Sequence, residues 1–309
     1  MGSIDADQQP TGNLCAVVTG ANKGIGLAVV RQLAELGVHV VLTSRDVARG
    51  TAAVRSLHSA GLSNILFYQL DVSDPLSAAS LAGFVSDRFG KLDILVNNAA
   101  ASGVVVDVEG LVALNIDPDH WLSGKATNLV KEVIEHTHES AVACIEINYF
   151  GCKRVTESLL PLLRLSPSGA RIVNVSSLRS ELKRIPNEGI RGELADVEKL
   201  DEERIENILG RFLEDSKEGK LEAGGWPMML PAYSISKVAV NAYTRVIARR
   251  WPEMCINCVH PGFVKTDLNW NTGVETTDEG ARGPVMLALL PAGGPSGRYF
   301  HKTAAMADF

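Results

Sequence analysis

Cysteine is scarce in this chain, with five residues among 309, and the five are scattered along the sequence. An odd, scattered set does not make a disulfide framework, so we expect a reducing compartment such as the cytoplasm. Cys255 and Cys258 have the spacing of a redox motif, but they lie in an apolar run typical of a buried strand. Residues three apart on a strand point to opposite faces, which favours core packing over a disulfide.

Long apolar runs and an excess of basic residues are also absent from the sequence. No uncharged apolar stretch approaches the roughly 20 residues of a membrane-spanning helix. The first residues, MGSIDADQQP, lack the basic and then apolar order of a signal peptide, so we expect none. The net charge of −6 argues against a nucleic-acid or anionic-membrane surface. His136, His138 and Glu139 follow a helical pattern with no further ligand in view, and we expect no metal.

Short apolar runs alternate with helix-length segments along the chain. The helical pattern is clear at 27–37, where apolar residues recur with helical spacing and Gly37 follows as a stop. Buried strands alternating with helices predict an α/β fold: a single doubly wound Rossmann domain, with a parallel sheet and helices on both faces. The predicted strands are AVVTG (16–20), VHVVLTS (38–44), ILFYQLDV (65–72), LDILVNNA (92–99), RIVNVSS (171–177) and CINCVHPG (255–262).

Two stretches are too long for this alternation. The expected organisation is a polar tail at 1–13 and one domain at 14–309, with insertions at about 101–140 and 178–231. The second insertion contains an apolar stripe from Ile205 to Leu213, which predicts a helix that opens at Asp201. Such insertions follow the carboxyl ends of strands, where open α/β sheets bind ligands. We expect them to wall a substrate pocket, and packing elsewhere on the surface is the alternative.

The segment TGANKGIG (19–26) lies between the first predicted strand and the first predicted helix. Gly20, Gly24 and Gly26 lack Cβ atoms, so the backbone can turn sharply and let a pyrophosphate approach the helix N-terminus. Glycine in a tight turn also has a purely steric explanation. The order of strand, turn and helix nevertheless favours a dinucleotide site.

The end of the second predicted strand bears on which dinucleotide is bound. Asp46 follows Gly26 by twenty residues and offers a carboxylate to the ribose hydroxyl of NAD. Arg45 and Lys23 offer positive charge to the 2′-phosphate of NADP instead. Because the strand has ended by Asp46, we favour NADP(H) over NAD(H).

The segment YSISK (233–237) places a tyrosine and a lysine one helical turn apart. A tyrosine has a pKa of about 10, and a lysine on the same helical face favours the phenolate. Tyr233 and Lys237 can therefore form an acid/base pair. Taken alone, these two residues also fit a solvated surface pair.

Together these motifs resemble the short-chain dehydrogenase/reductase family. TGANKGIG is similar to its cofactor turn, Asp71-Val72 to its adenine contact and Asn97-Asn98-Ala99 to its central-strand motif. The resemblance covers about residues 14–300, and Ala100 departs from the usual glycine. The long segment before Tyr233 is similar to the carbonyl-reductase branch, which includes plant reductases of alkaloid and terpenoid ketones.

The resemblance implies NADPH-dependent reduction of a bulky, cyclic ketone to a secondary alcohol in specialised metabolism. It implies that Tyr233 is the general acid and that Lys237 lowers the pKa of Tyr233. Ser177 then hydrogen-bonds the carbonyl, Ser176 being the neighbour it can be confused with, and Asn148 holds a water that links Lys237 to solvent. The branch is usually monomeric, because its extra segment covers the helices through which other members assemble.

The resemblance also implies the residues of the two binding sites. The implied cofactor contacts are Gly20, Asn22, Lys23, Gly24, Ile25, Gly26, Arg45, Asp71, Val72, Asn98, Tyr233, Lys237, Pro261, Gly262, Val264 and Thr266. For the small-molecule substrate we expect apolar contacts with Trp226, Met229, Phe263 and Trp270, and core packing is the alternative for these four. An NADP-dependent alcohol dehydrogenase working oxidatively and a non-catalytic NADP(H)-binding protein are the alternative functions.

Overall fold

A computed structural model describes residues 14–306, so the tail expected at 1–13 lies outside the described residues. An eight-stranded sheet forms the centre, and a two-stranded ribbon lies apart from it. The strands are β1 (Cys15–Val18), β2 (His39–Ser44), β3 (Ile65–Gln69), β4 (Ile94–Asn97), β5 (Val105–Val106), β6 (Ile134–Glu135), β7 (Arg171–Val175), β8 (Cys255–His260), β9 (Tyr299–His301) and β10 (Ala304–Ala305).

The central sheet runs in the order β10-β9-β8-β7-β4-β1-β2-β3 and is parallel except for β10. In the interior strand β1, Val17 pairs with Val41 of β2 on one side and with Leu95 of β4 on the other. The chain moves outward from β1 through β2 and β3 and then returns to place β4 on the opposite side of β1. This reversal leaves a crevice at the carboxyl ends of β1 and β4, where such sheets bind ligands. The predicted α/β fold is confirmed.

Helices cover both faces of the sheet. They are α1 (Gly24–Glu35), α2 (Val47–Ser59), α3 (Pro75–Phe89), α4 (Val108–Ala113), α5 (Pro118–Ser123), α6 (His138–Ile145), α7 (Gly151–Leu163), α8 (Glu188–Ala195), α9 (Glu202–Lys217), α10 (Pro231–Arg250) and α11 (Thr277–Ala288). Val18, Leu42 and Leu33 belong to an apolar core shared with α1, α2 and α11 on one face. Val17 and Leu95 belong to a second core, shared with α3, α7 and α10 on the other face.

The first insertion contains α4, α5 and the antiparallel ribbon of β5 and β6. It forms a small apolar core of its own, in which Leu111, Trp121 and Ile134 pack with Met229 and Phe263 from later parts of the chain. The insertion is thereby fixed beside the loop that follows β8.

The second insertion packs mainly against other helices and not around a core of its own. Its helix α9 opens where expected, with the Asp201 carboxylate accepting a hydrogen bond from the Arg204 N–H at 2.8 Å. The predicted stripe, including Ile208 and Phe212, is buried in the core shared with α6 and α10. The interpretation of this whole segment as a pocket wall is therefore corrected. Its helix α9 packs on α10, and only the two ends of the insertion reach the cavity described below.

No helix within residues 14–306 is long and apolar enough to cross a membrane. The same part of the chain brings together no group of three or more His, Cys, Asp or Glu side chains suited to a metal ion. All five cysteines are buried and unpaired. The Cys255 and Cys258 thiols face different backbone carbonyls, those of Pro291 and Arg298.

Candidate active site

The glycine turn joins β1 to the N-terminus of α1 in a conformation that requires glycine. Gly20 and Gly24 have φ angles of +60° and +59°, in the left-handed region. A Cβ on Gly26 would lie 2.5 Å from Asn98 Nδ2. Lys23, the N-cap residue, makes no side-chain hydrogen bond to the helix, and the first turn holds no acidic residue. The backbone N–H groups at this end of α1 therefore suit a phosphate anion.

Asn98 supports this turn from the end of β4. Its Nδ2 atom donates to the carbonyl oxygens of Thr19 and Gly20 at 2.9 and 3.0 Å. The hydroxyl of Thr19 accepts in return from the backbone N–H groups of Asn98 and Ala99. The predicted central-strand motif is thus placed against the predicted cofactor turn, and Ala99 fills the space beside Gly20.

The region predicted to contact the adenosine end holds two carboxylates with settled partners. Asp46 caps α2 by accepting from the Arg49 N–H at 2.9 Å, which commits the carboxylate to the helix. Arg45 is exposed beside it. Partial burial opposes the shift, but hydrogen bonds from Ser73 lower the pKa of Asp71 below its usual value. The carboxylate of Asp71 is therefore ionised at neutral pH.

An ion pair spans the groove between the glycine turn and the loop after β8. Lys23 Nζ lies 2.6 Å from Asp267 Oδ2, with both side chains more than half exposed. A Cβ on Gly24 would lie 3.5 Å from Thr266 Cγ2, so the two sides of the groove are close. Exposed pairs of this kind contribute at most about 1 kcal/mol. A bound phosphate can therefore compete with Asp267 for the lysine.

Tyr233 and Lys237 stand one turn apart in α10, which begins at Pro231 after Leu230 adopts a left-handed φ of +52°. Lys237 Nζ lies 5.8 Å from the centre of the Tyr233 ring and donates to the Val175 carbonyl oxygen at 2.7 Å. Burial lowers the pKa of Lys237 to about 8. The pair is therefore no solvated surface feature.

The pKa of Tyr233 departs from the expectation. Burial raises the pKa of Tyr233 to about 12, and a hydrogen bond with Ser177 and the charge of Arg179 oppose the rise. The net shift is thus upward, and the expected lowering by Lys237, whose ammonium donates to the Val175 carbonyl oxygen, stays a prediction. Tyr233 is therefore protonated at neutral pH, as a proton donor must be.

The two candidate serines that follow β7 differ in their interaction partners. Ser176 Oγ donates to Asn241 Oδ1 at 2.5 Å and is thereby tied to α10. Ser177 Oγ accepts from the Arg179 N–H at 3.1 Å, and it acts on Tyr233 by lowering the pKa of the tyrosine. Ser177 is thus the serine placed beside the tyrosine, although it also caps the following turn.

Asn148 lies in a π-helical turn (Glu146–Phe150) between α6 and α7. Its Oδ1 atom accepts from the Ala101 N–H at 2.8 Å, and Nδ2 donates to Ala101 O and to Ser236 Oγ. The side-chain amide therefore links the end of β4 to the residue before Lys237. The predicted water relay through Asn148 stays a prediction.

A cavity with an open mouth lies between the glycine turn, the first insertion and the loop after β8. Among the predicted substrate residues, Phe263 and Trp270 line it. Trp226 and Met229 do not, and both are corrected to core positions. Trp226 stacks edge-on with Phe212 and donates to Asp215 at 2.7 Å, deep behind α10.

Sequence reasoning missed several residues of this cavity. Of the predicted cofactor residues, Ile25, Tyr233, Pro261, Gly262, Val264 and Thr266 line it, together with Ser177. The missed lining residues are Ser102, Trp121, Leu122, Ser176, Leu178, Arg179, Leu230, His260, Leu268 and Asn269. Trp121 stood in the insertion as an isolated aromatic residue, and Arg179 follows Ser177 by two positions. Neither of these sequence features indicates that Trp121 or Arg179 faces the site.

A phosphate cradle at the switch point of a parallel sheet, next to a partly buried tyrosine and a buried serine, defines a nucleotide-dependent oxidoreductase. The chain belongs to the short chain dehydrogenase family, whose pattern it matches over residues 14–188. The family expectation is thereby confirmed.

Three relatives span nearly the whole chain. "Short-chain dehydrogenase/reductase 1" of Saponaria officinalis is 51% identical over 288 residues, covering 92% of this chain and 93% of that one. The structure of salutaridine reductase from Papaver somniferum is 46% identical with a TM-score of 0.87, covering 93% and 99%. Menthone neomenthol reductase from Mentha piperita is 40% identical with a TM-score of 0.82, covering 94% and 98%.

Proposed function

We propose that this protein uses NADPH to reduce a bulky ring ketone, of terpenoid or alkaloid type, to a secondary alcohol. The observation that carries the proposal is the presence of Ser177 and Tyr233 together in the wall of a largely apolar cavity, where Ser177 lowers the pKa of Tyr233 against the effect of burial. Ile25, from the glycine turn, lines the same cavity, so the cofactor cradle and the substrate space are contiguous. The relatives named for salutaridine and menthone support a ring ketone as the substrate.

The residues present fit a dinucleotide phosphate. The N-terminus of α1 has no side-chain cap, and Cβ atoms on Gly20 or Gly26 would collide with Ala99 or Asn98. We assign the pyrophosphate to this turn, the adenine side to Asp71 and Val72, and the nicotinamide side to the segment from Pro261 to Thr266. NADPH, when bound, supplies the hydride. Arg45 and Lys23 favour the 2′-phosphate, since Asp46 is committed to α2.

Tyr233 and Ser177 act on the oxygen of the carbonyl. Both hydroxyls donate to this oxygen, and their hydrogen bonds strengthen as negative charge develops there. Tyr233 then gives its proton to the nascent alkoxide, which completes the alcohol. Lys237, charged at neutral pH and 5.8 Å from the Tyr233 ring centre, stabilises the phenolate that is left behind.

The proposal extends to the location, the oligomeric state and the metabolic role of the protein. Five unpaired cysteines favour the cytoplasm. We also assign a monomer, because α9 covers the surface of α6 and α10. A role in specialised metabolism accords with relatives that are named for salutaridine and menthone.

Replacing Tyr233 tests the proposed function. Wild type, Tyr233→Phe and Lys237→Met are compared for NADPH consumption against a panel of monoterpenoid, alkaloid and quinone carbonyls, with NADH in parallel. We expect kcat to fall by at least about 100-fold in Tyr233→Phe, because general acid catalysis contributes at least that factor. NADPH binding, followed by its fluorescence, should persist in this variant.

Ser176→Ala is the matched control, because this serine also lies at the end of β7 but is tied to Asn241. It should keep most of the activity, whereas Ser177→Ala should lose most of it. Full activity of Tyr233→Phe would remove the proposed mechanism. Turnover only in the oxidative direction would favour the alcohol dehydrogenase, and tight NADPH binding without any turnover would favour a binding protein.

A further inference from the structure

Arg179 is a buried guanidinium in the wall of the cavity. The residue is 8% exposed, and it follows Ser177 by two positions. No other residue lining the cavity, among those that the structure describes, is charged at neutral pH, because burial lowers the pKa of His260 to about 3. The pKa of Arg179 is also lowered by burial, to about 10, so the guanidinium remains positive at neutral pH.

The positive charge of Arg179 has no carboxylate partner within residues 14–306. Its only side-chain hydrogen bond in this part of the chain is donated by Nη2 to the Trp121 carbonyl oxygen, at the end of α5. Nε and Nη1 are left without a hydrogen-bond acceptor, and neither is among the fully enclosed unpaired atoms. Both groups therefore keep some accessible surface, and the residue that carries them lines the cavity.

Arg184 shows what a structural arginine looks like at the same place. It donates to the Leu122 carbonyl oxygen at 3.0 Å, one residue beyond the acceptor of Arg179. Unlike Arg179, it also pairs with Glu181 at 3.1 Å, and it does not line the cavity. An arginine can therefore hold the end of α5 while it is paired with a carboxylate and lies outside the cavity. That contact does not explain why Arg179 is buried in the cavity wall without a carboxylate partner.

An isolated charge in an apolar cavity is costly unless a partner neutralises it. The guanidinium fork binds a carboxylate through two parallel hydrogen bonds, which is the strongest pairing available to it. Trp121, Leu230, Phe263 and Trp270 supply apolar surface around this charge. The site therefore matches a largely hydrocarbon molecule that carries one negative group.

The position of Arg179 relative to the reacting atoms restricts where that negative group lies. Its backbone N–H donates to Ser177 Oγ, and its side-chain charge acts on the Tyr233 hydroxyl. Resting on the proposed ketone reduction, we propose that the substrate is a ring ketone bearing a carboxylate, which Arg179 binds while Ser177 and Tyr233 hold the carbonyl. Arg179 is then the specificity-determining residue of this pocket.

A matched pair of substrates tests this assignment by turnover. The probes are a phenyl-substituted cyclohexanone carrying a carboxylate and the methyl ester of the same compound. We expect wild type to favour the acid over the ester in kcat/KM by about tenfold or more, since hydrogen bonds to charged groups are worth that factor. In Arg179→Gln this preference should vanish, chiefly through a higher KM for the acid, and Arg179→Lys should restore part of it.

Arg184→Gln is the matched control, because it removes the neighbouring contact to α5. It should lower the thermal midpoint while keeping the preference for the acid. An equal loss of acid and ester turnover in Arg179→Gln would assign Arg179 a structural role and overturn the proposal. A wild-type enzyme that turns over both probes equally would do the same.

A binding measurement separates this proposal from the reductase itself. The fluorescence of Trp121 and Trp270, which line the cavity, reports binding of a phenylcyclohexane carboxylate that lacks a ketone, compared with its methyl ester. Tighter binding of the acid to wild type, lost in Arg179→Gln, supports the anion site even if no ketone is reduced. Equal binding of acid and ester would remove the anion site and leave ketone reduction standing.

Discussion

Tyr233, Lys237 and Arg179 are ionisable residues that burial shifts toward their neutral forms. The pKa values are about 12, 8 and 10, and each shift has burial as its largest cause. At neutral pH the tyrosine still carries its proton, and both bases remain positive. The site therefore holds a protonated tyrosine hydroxyl next to two cationic side chains, which is what the proposed proton transfer requires.

His260 provides a prediction at this scale. It ends β8, its ring meets that of His301 at 4.9 Å between centroids, and Nδ1 has no partner among the described residues. Burial, followed by the charges of His301, Lys302 and Arg184, lowers the pKa of His260 to about 3. The pKa of a histidine in an unfolded chain is about 6.5. Between these values the unfolded chain binds more protons, so stability falls as pH falls.

We expect His260→Gln to lose less free energy of unfolding than wild type between about pH 7 and about pH 5. Urea denaturation at several pH values measures this difference. His120→Gln, at an exposed position in α5, is the control and should follow wild type. Parallel curves for wild type and His260→Gln would show that His260 does not carry the acid sensitivity.

Among the elements, α9 supports the helix that carries Tyr233. Its apolar stripe packs on α6 and α10, and Phe212 meets Trp226 edge-on at 5.3 Å. The Trp226 indole N–H is satisfied by Asp215 of the same helix. The second insertion thus stabilises α10 from behind, whereas the first insertion forms a wall of the cavity through Trp121 and Leu122.

Phe212→Ala should therefore destabilise the protein by about 3–5 kcal/mol, the usual cost of removing a buried aromatic ring. The thermal midpoint and the urea midpoint measure the change. Leu213→Ala, at the half-buried neighbour, should cost clearly less. We expect the KM for substrate in Phe212→Ala to stay near that of wild type, because α9 does not line the cavity. A raised KM in Phe212→Ala without a loss of stability would contradict the supporting role of α9.

For the whole molecule, the covered surface of α10 leads to an assembly prediction. Most of this helix is buried, from Pro231 through Ala248, and α9 packs against it within the same chain. We expect light scattering after gel filtration to give a mass near 33.1 kDa at micromolar concentration. A mass of two or four chains would show that another surface mediates assembly.

The sequence by itself determined the features that depend on local backbone chemistry. Glycines with positive φ define the turn at Gly20 and Gly24, and apolar runs define the buried parallel strands. Five of the six predicted strands end later than the observed ones, because their last residues, such as Thr19, lie beyond the strand, whereas VHVVLTS ends at Ser44 as β2 does. Helical spacing placed Tyr233 and Lys237 on one side of α10, and an acidic N-cap marked the start of α9.

Only the tertiary structure decided which side chains meet at the cavity. Ser176 and Ser177 are adjacent in sequence, and their separate roles come from partners about 60 residues away in α10. Trp226 and Trp270 are equally apolar, yet one lies in the core and the other in the cavity wall. Arg179 acquires its position through Trp121, in a different insertion. Sequence patterns report burial and local conformation, whereas these contacts depend on how distant elements pack.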